Sequence, residues 1–267
     1  MSSPFGGRNN KFIDLIVVFV LLFVALDYAY ITKDLFIGRS LFTGLVLVVP
    51  PVIYLGIRNN KNWKKLIIAS VIFGCLFGFA LSFYAEATKA WSTNDYIFGF
   101  RLLGVNTLEE VFGQGLMALY TFTFYEHFLD NEKERKVNRN YVVAMVIGSI
   151  GSILLVGIYL LQYPNKIQIP YAYIFAAVLA IIPLILVVYK NPHLINKFAL
   201  LASFFFIVWF SSQYFAVLFN YWTYPGSYIG WIEILGVRYP LEEMFFWMLL
   251  YSPTIVAYYE ATIDDMK

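Results

Sequence analysis

Eight separate apolar runs, each close to 20 residues long, limit what this chain can fold into more than any other feature. They lie near Lys11 to Ile31, Leu41 to Ile57, Leu66 to Glu86, Glu109 to Leu129, Tyr141 to Leu161, Tyr171 to Tyr189, Phe198 to Phe219 and Leu241 to Glu260. A helix rises about 1.5 Å per residue, so roughly 20 apolar residues cross a hydrocarbon core of about 30 Å. In 267 residues, 60% are hydrophobic and only 13% charged, too few to cover eight such helices in water. The predicted fold is therefore all-α: a polytopic integral membrane protein with about eight transmembrane helices.

The first run follows Arg8 and Lys11, as a secretory leader would, but it is too long and no small-residue cleavage site closes it. It is expected to stay as a membrane anchor. With eight crossings, both termini and the second, fourth and sixth loops share one face, which collects thirteen of the 19 Lys and Arg residues. The positive-inside rule then puts both termini in the cytoplasm of a multi-pass cell-membrane protein. Topology accounts for these basic residues, and no nucleic-acid partner is needed. The single cysteine, Cys75, lies inside the third run, which excludes a disulfide framework.

The chain also repeats itself. Trp91-Ser92-Thr93-Asn94, Leu103-Gly104-Val105, Leu108-Glu109-Glu110-Val111-Phe112 and Tyr125-Glu126 return in the same order as Trp222-Thr223-Tyr224-Pro225, Leu235-Gly236-Val237, Leu241-Glu242-Glu243-Met244-Phe245 and Tyr259-Glu260. Glu110 and Glu243 stand 133 residues apart, as do Pro50 and Pro183 within their runs. The expected organisation is two tandem four-helix repeats, 1–132 and 141–267, joined by a charged linker at 133–140. Four helices return the chain to its starting face, so the repeats share one orientation and are related by an axis along the membrane normal. The Trp-to-Glu-Glu connections are expected at the membrane interface or re-entering it.

Glu109, Glu110, Glu242 and Glu243 are the candidate catalytic residues. Acids in a first helical turn ordinarily complement the helix dipole, but two pairs at matching positions next to apolar helices suggest chemistry. Neighbours on a helix diverge by about 100°, so at most one glutamate of each pair points squarely inward; all four remain candidates. A carboxyl held away from water keeps its proton and can act as a general acid, and an ionised counterpart can act as base. Trp91, Phe112, Trp222, Tyr224, Phe245 and Phe246 are the candidate substrate-binding residues, able to line an apolar slot and to stabilise a cation through their ring faces. Asp14, Asp27 and Glu86 have no acidic partner at the repeat offset and read as local polar contacts. His127 and His193 have nothing nearby that completes metal spacing.

The pattern of Trp, a turn, Gly-Val, Pro-Leu-Glu-Glu, Phe-Phe and a closing Tyr-Glu resembles the lycopene cyclase domain family of carotenoid-making bacteria, archaea and fungi. In the second half it is carried by Trp222, Gly236, Val237, Pro240, Leu241, Glu242, Glu243, Phe245, Phe246, Tyr259 and Glu260. The first half departs from it, with Asn106-Thr107 in place of the proline and Gly113 in place of the second phenylalanine. The resemblance implies a lycopene β-cyclase-like isomerase (an intramolecular lyase) that closes the ends of a linear carotenoid into rings without cofactor or metal. Its implied partners are a lipophilic carotenoid, the lipid bilayer and other carotenoid enzymes. A membrane prenyltransferase would need aspartate clusters for magnesium, which Asn94-Asp95-Tyr96 does not supply. A small membrane transporter and a non-catalytic carotenoid-binding relative stay open as alternatives.

Overall fold

The computed structural model describes residues 8–33, 39–58, 63–130, 139–162 and 169–263. Each of the eight predicted runs falls on a helical segment among these residues. The segments are α1 (Arg8–Ile31), α2 (Arg39–Arg58), α3 (Trp63–Ala87), α4 (Leu108–Phe128), α5 (Arg139–Gln162), α6 (Ala172–Lys190), α7 (Leu194–Leu218) and α8. The last begins as a π-helical stretch, Glu243–Leu250, and continues as the α-helix Tyr251–Thr262. Helices α1, α2, α3, α6 and α7 are long and apolar enough to cross a membrane. Most of the predicted linker lies outside the described residues, and its last two residues, Arg139 and Asn140, already belong to α5.

Packing follows from residue size. Gly74, in a π-helical stretch of α3 (Ser70–Leu76), lies so close to α4 that a Cβ there would stand 2.6 Å from the Gly115 Cα. Two facing glycines let the backbones approach in a way no larger residue allows. Of the three α5 glycines, Gly157 lies against Phe83, whereas Gly148 and Gly151 face open space. The core between α4 and α7 is aromatic: Phe124 stacks on Phe204 at 4.1 Å between ring centroids, and Tyr120 meets Phe205 edge-on at 5.1 Å. Such pairs contribute about 0.5–1.5 kcal/mol beyond their buried area.

The all-α expectation needs one correction, because the two long connections form short β-ribbons. In the first, β2 (Arg101–Leu102) pairs with β3 (Asn106–Thr107); in the second, β5 (Trp231–Ile234) pairs with β6 (Val237–Pro240). Each hairpin reverses through a Leu-Gly pair with positive φ at both residues: 52° and 75° at Leu103 and Gly104, 49° and 79° at Leu235 and Gly236. Two central residues with positive φ match the right-handed twist of the flanking strands, which explains why Leu-Gly-Val occurs in both connections. The connections also join each other. β1 (Ser92–Thr93) pairs antiparallel with β4 (Trp222–Thr223), placing Ser92 opposite Thr223.

Candidate functional site

Helix α4 opens at Thr107, whose hydroxyl accepts the Glu110 backbone N–H at 3.2 Å. Thr107-Leu108-Glu109-Glu110 has the spacing of a capping box, in which the Glu110 side chain would fold back onto its own helix end. It turns to Trp91 instead, accepting the indole N–H at 3.1 Å. Glu243, at the matching position in α8, accepts the Tyr173 hydroxyl at 2.6 Å. Glu110 and Glu243 line one cavity of about 160 Å³.

The neighbouring glutamates do different work. Glu109 accepts the backbone N–H groups of Ile97 and Phe98 at 2.5 and 2.8 Å, and Glu242 accepts that of Ile229 at 2.6 Å. Each thus fastens its own aromatic connection to the helix that follows it. Glu109 also reaches the cavity wall, whereas Glu242 is buried away from it. Glu109 and Glu242 thus serve as anchors of the two connections, and of this pair only Glu109 also lines the cavity that holds Glu110 and Glu243.

Among the aromatic candidates, Trp91, Trp222 and Tyr224 line the cavity. Trp222 and Tyr224 both donate to Gln213 Oε1, at 2.8 and 3.2 Å. Burial, and then the Glu243 carboxylate nearby, push the Tyr224 hydroxyl well above the ordinary phenol range, so it stays a donor. Phe112 and Phe245 stand apart from these. They are 61% and 57% exposed and line no cavity described here. Each follows its inward glutamate by two residues, about 200° further round an α-helix for Phe112 and about half a turn in the wider π-helical stretch for Phe245, so it faces outward. Phe246 lines an adjoining cavity.

Gln114, Gln213 and Trp247 are among the lining residues outside the candidate set, and Tyr173 adds to them as the partner of Glu243. Gln114 and Trp247 stand 133 residues apart, so the repeat offset was available as a signal. Gln213 and Tyr173 have no like residue at that offset, and only their positions in the bundle identify them.

Of the remaining polar candidates, Asp14 forms contacts away from this cavity, whereas Glu86 bonds to Thr93 of its wall. Asp14 is buried and accepts from Tyr54 at 2.7 Å and Arg58 at 2.9 Å, with His127 Nε2 at 2.9 Å from its other oxygen. Glu86 accepts the Thr93 backbone N–H at 2.6 Å and lies 3.5 Å from Arg101, while Asp27 is exposed. No family model, curated protein or solved structure matches the chain.

Proposed function

We propose that the protein is a lycopene β-cyclase-like carotenoid cyclase, an eight-crossing membrane enzyme of two tandem four-helix repeats with both termini in the cytoplasm. The observation that carries this reading is that Glu110 and Glu243, at matching positions in the duplicated motif, line one cavity whose walls are otherwise mainly apolar and aromatic. The chemistry needs an acid, a base, ring faces and exclusion of water. One protonated glutamic acid adds its proton to the terminal double bond of a linear carotenoid. An internal double bond attacks the resulting cation, and the ionised glutamate removes a proton to leave a ring. Atoms and electrons balance without a redox partner, since the product is an isomer of the substrate.

Trp91, Trp222 and Trp247 stand along the wall where a cation would need stabilising, at about 0.5–2 kcal/mol per well-placed ring. The cavity is smaller than the roughly 300–1,000 Å³ that engulfs a drug-sized ligand. It suits one end of a long polyene better than the whole molecule. Glu109 and Glu242 support this division of labour by holding both connections over the cavity.

Expression in a lycopene-producing host, followed by separation of the pigments, tests the proposal. The expected products keep the mass of lycopene and absorb at shorter wavelength, because closing a ring takes terminal double bonds out of effective conjugation. Glu110→Gln and Glu243→Gln should each insert into the membrane and yield no cyclised product. Unchanged pigment with the intact protein, or full activity in both variants, would refute it. Movement of a solute across vesicles with carotenoids untouched would favour a transporter.

A further inference from the structure

Beyond Trp91 and Trp247, whose ring centroids stand 6.3 Å apart, lies a second cavity of about 60 Å³. The two indoles line both cavities, and Tyr173, which lines the second, donates its hydroxyl to Glu243 in the first. Ala176, Ala177 and Ala180 of α6 keep this space open, and most of its wall is hydrocarbon.

Three hydroxyls interrupt that wall. Tyr84, Tyr251 and Thr254 line the cavity, are 0%, 6% and 3% exposed, and have hydroxyls without a hydrogen-bond partner; the Trp247 indole N–H is also unpartnered. A buried polar group left unpaired is destabilising. Other buried hydroxyls of the bundle are divided: Thr43, Ser82, Tyr221 and Tyr239 also lack a hydrogen-bond partner, whereas several on the helices around this cavity are satisfied. Thr121 and Thr262 donate to the carbonyls four residues back, at 2.9 and 2.6 Å, and Ser252 accepts the Trp209 indole N–H at 2.9 Å. Thr254, on the same helix as Ser252 and Thr262, makes no such bond. Unpaired donors lining an apolar cavity are the complement of a mostly apolar ligand that carries a single oxygen.

We infer that the second cavity binds an oxygen-bearing group, a hydroxyl or keto oxygen, on the same end of the polyene that reacts at Glu110 and Glu243. This rests on the acid–base reading above. It makes the preferred substrate an oxygenated linear polyene rather than the bare hydrocarbon. Trp91 and Trp247 then flank the passage between the reacting double bond and the oxygen.

The test uses the full chain in nanodiscs and two polyenes of equal length, one hydroxylated on its end group and one unsubstituted, with binding read by quenching of tryptophan fluorescence. The protein should bind the hydroxylated polyene about tenfold or more tightly, the scale of one buried hydrogen bond. The combined variant Tyr84→Phe, Tyr251→Phe and Thr254→Val should lose that preference while holding the unsubstituted polyene within about twofold. Ala177→Leu, which fills the cavity from α6, should do the same if the combined variant does not fold. Equal affinity for the two polyenes, or a preference that survives both variants, would overturn the inference; a cavity occupied only by water gives that result. Because binding is read without turnover, the two readings fail separately. Preference without a cyclised product refutes the acid–base pair, and cyclisation with equal affinities refutes the oxygen site.

Discussion

The Glu242 carboxylate accepts the Ile229 backbone N–H at 2.6 Å, and Glu109 holds that of Phe98 at 2.8 Å in the matching connection. Each adjacent pair of glutamates therefore divides into an anchor and a cavity residue. Glu242→Ala leaves the Ile229 amide unpaired and should lower stability by about 1–3 kcal/mol, read as a lower thermal unfolding midpoint in detergent. The folded fraction should still cyclise its substrate. Glu243→Gln should unfold at a temperature close to that of the wild type and cyclise nothing. An inactive but fully stable Glu242→Ala protein would reverse the two roles.

Tyr173 and Trp91 orient the cavity glutamates through single hydrogen bonds of 2.6 and 3.1 Å. Tyr173→Phe keeps the ring and removes only the donor, so polyene binding should be unchanged. Turnover should fall about tenfold or more, the scale on which a misplaced acid or base slows proton transfer. Pigment yield per folded protein and fluorescence quenching, measured on the same preparation, separate the two effects. Equal turnover in Tyr173→Phe would mean that Glu243 needs no orientation from α6.

The helical framework was legible because every apolar run is long enough to register as a helix whatever its neighbours, and the acidic pairs stood out because their motif occurs twice. The β-ribbons were not legible. Arg101–Leu102 and Asn106–Thr107 are two residues each, too short for alternation to show, and the Leu-Gly turns lack the Asn-Gly signal of common hairpins. The inward member of each glutamate pair depended on helix phase, which adjacent identical residues conceal. The outward direction of Phe112 and Phe245 was hidden for the same reason, since closeness in sequence to Glu110 and Glu243 does not fix a side chain's direction. Tyr173 approaches Glu243 from another helix, a relationship that no local pattern carries.

The contact between Gly74 and Gly115 sets how closely α3 approaches α4. Gly74→Ala drives a methyl into backbone and should be destabilising by about 1–3 kcal/mol, as overpacking is elsewhere. Gly148→Ala is the control. Nothing lies within 4 Å of a Cβ there, so the better helix former should be neutral or stabilising by up to about 1 kcal/mol. Thermal unfolding of the two variants side by side checks both signs, and equal midpoints would show that α3 and α4 separate without penalty.

Asp14 ties three helices together, since Tyr54 and Arg58 come from α2 and His127 from α4. Its side chain is 1% exposed, against 21% for Arg58 and 9% for His127, so Asp14 has little recourse to water when its partners are lost. Removing one member of a buried ion pair is destabilising by roughly 3–5 kcal/mol, because the remaining charge is left uncompensated. The partial exposure of Arg58 gives its cation a route to solvent, which places Asp14→Ala at the lower end of that range and Arg58→Ala, which leaves the carboxylate buried, at the upper end. Thermal unfolding in detergent should rank wild type above Asp14→Ala and Asp14→Ala above Arg58→Ala. The reverse order would mean that the guanidinium, rather than the carboxylate, bears the desolvation.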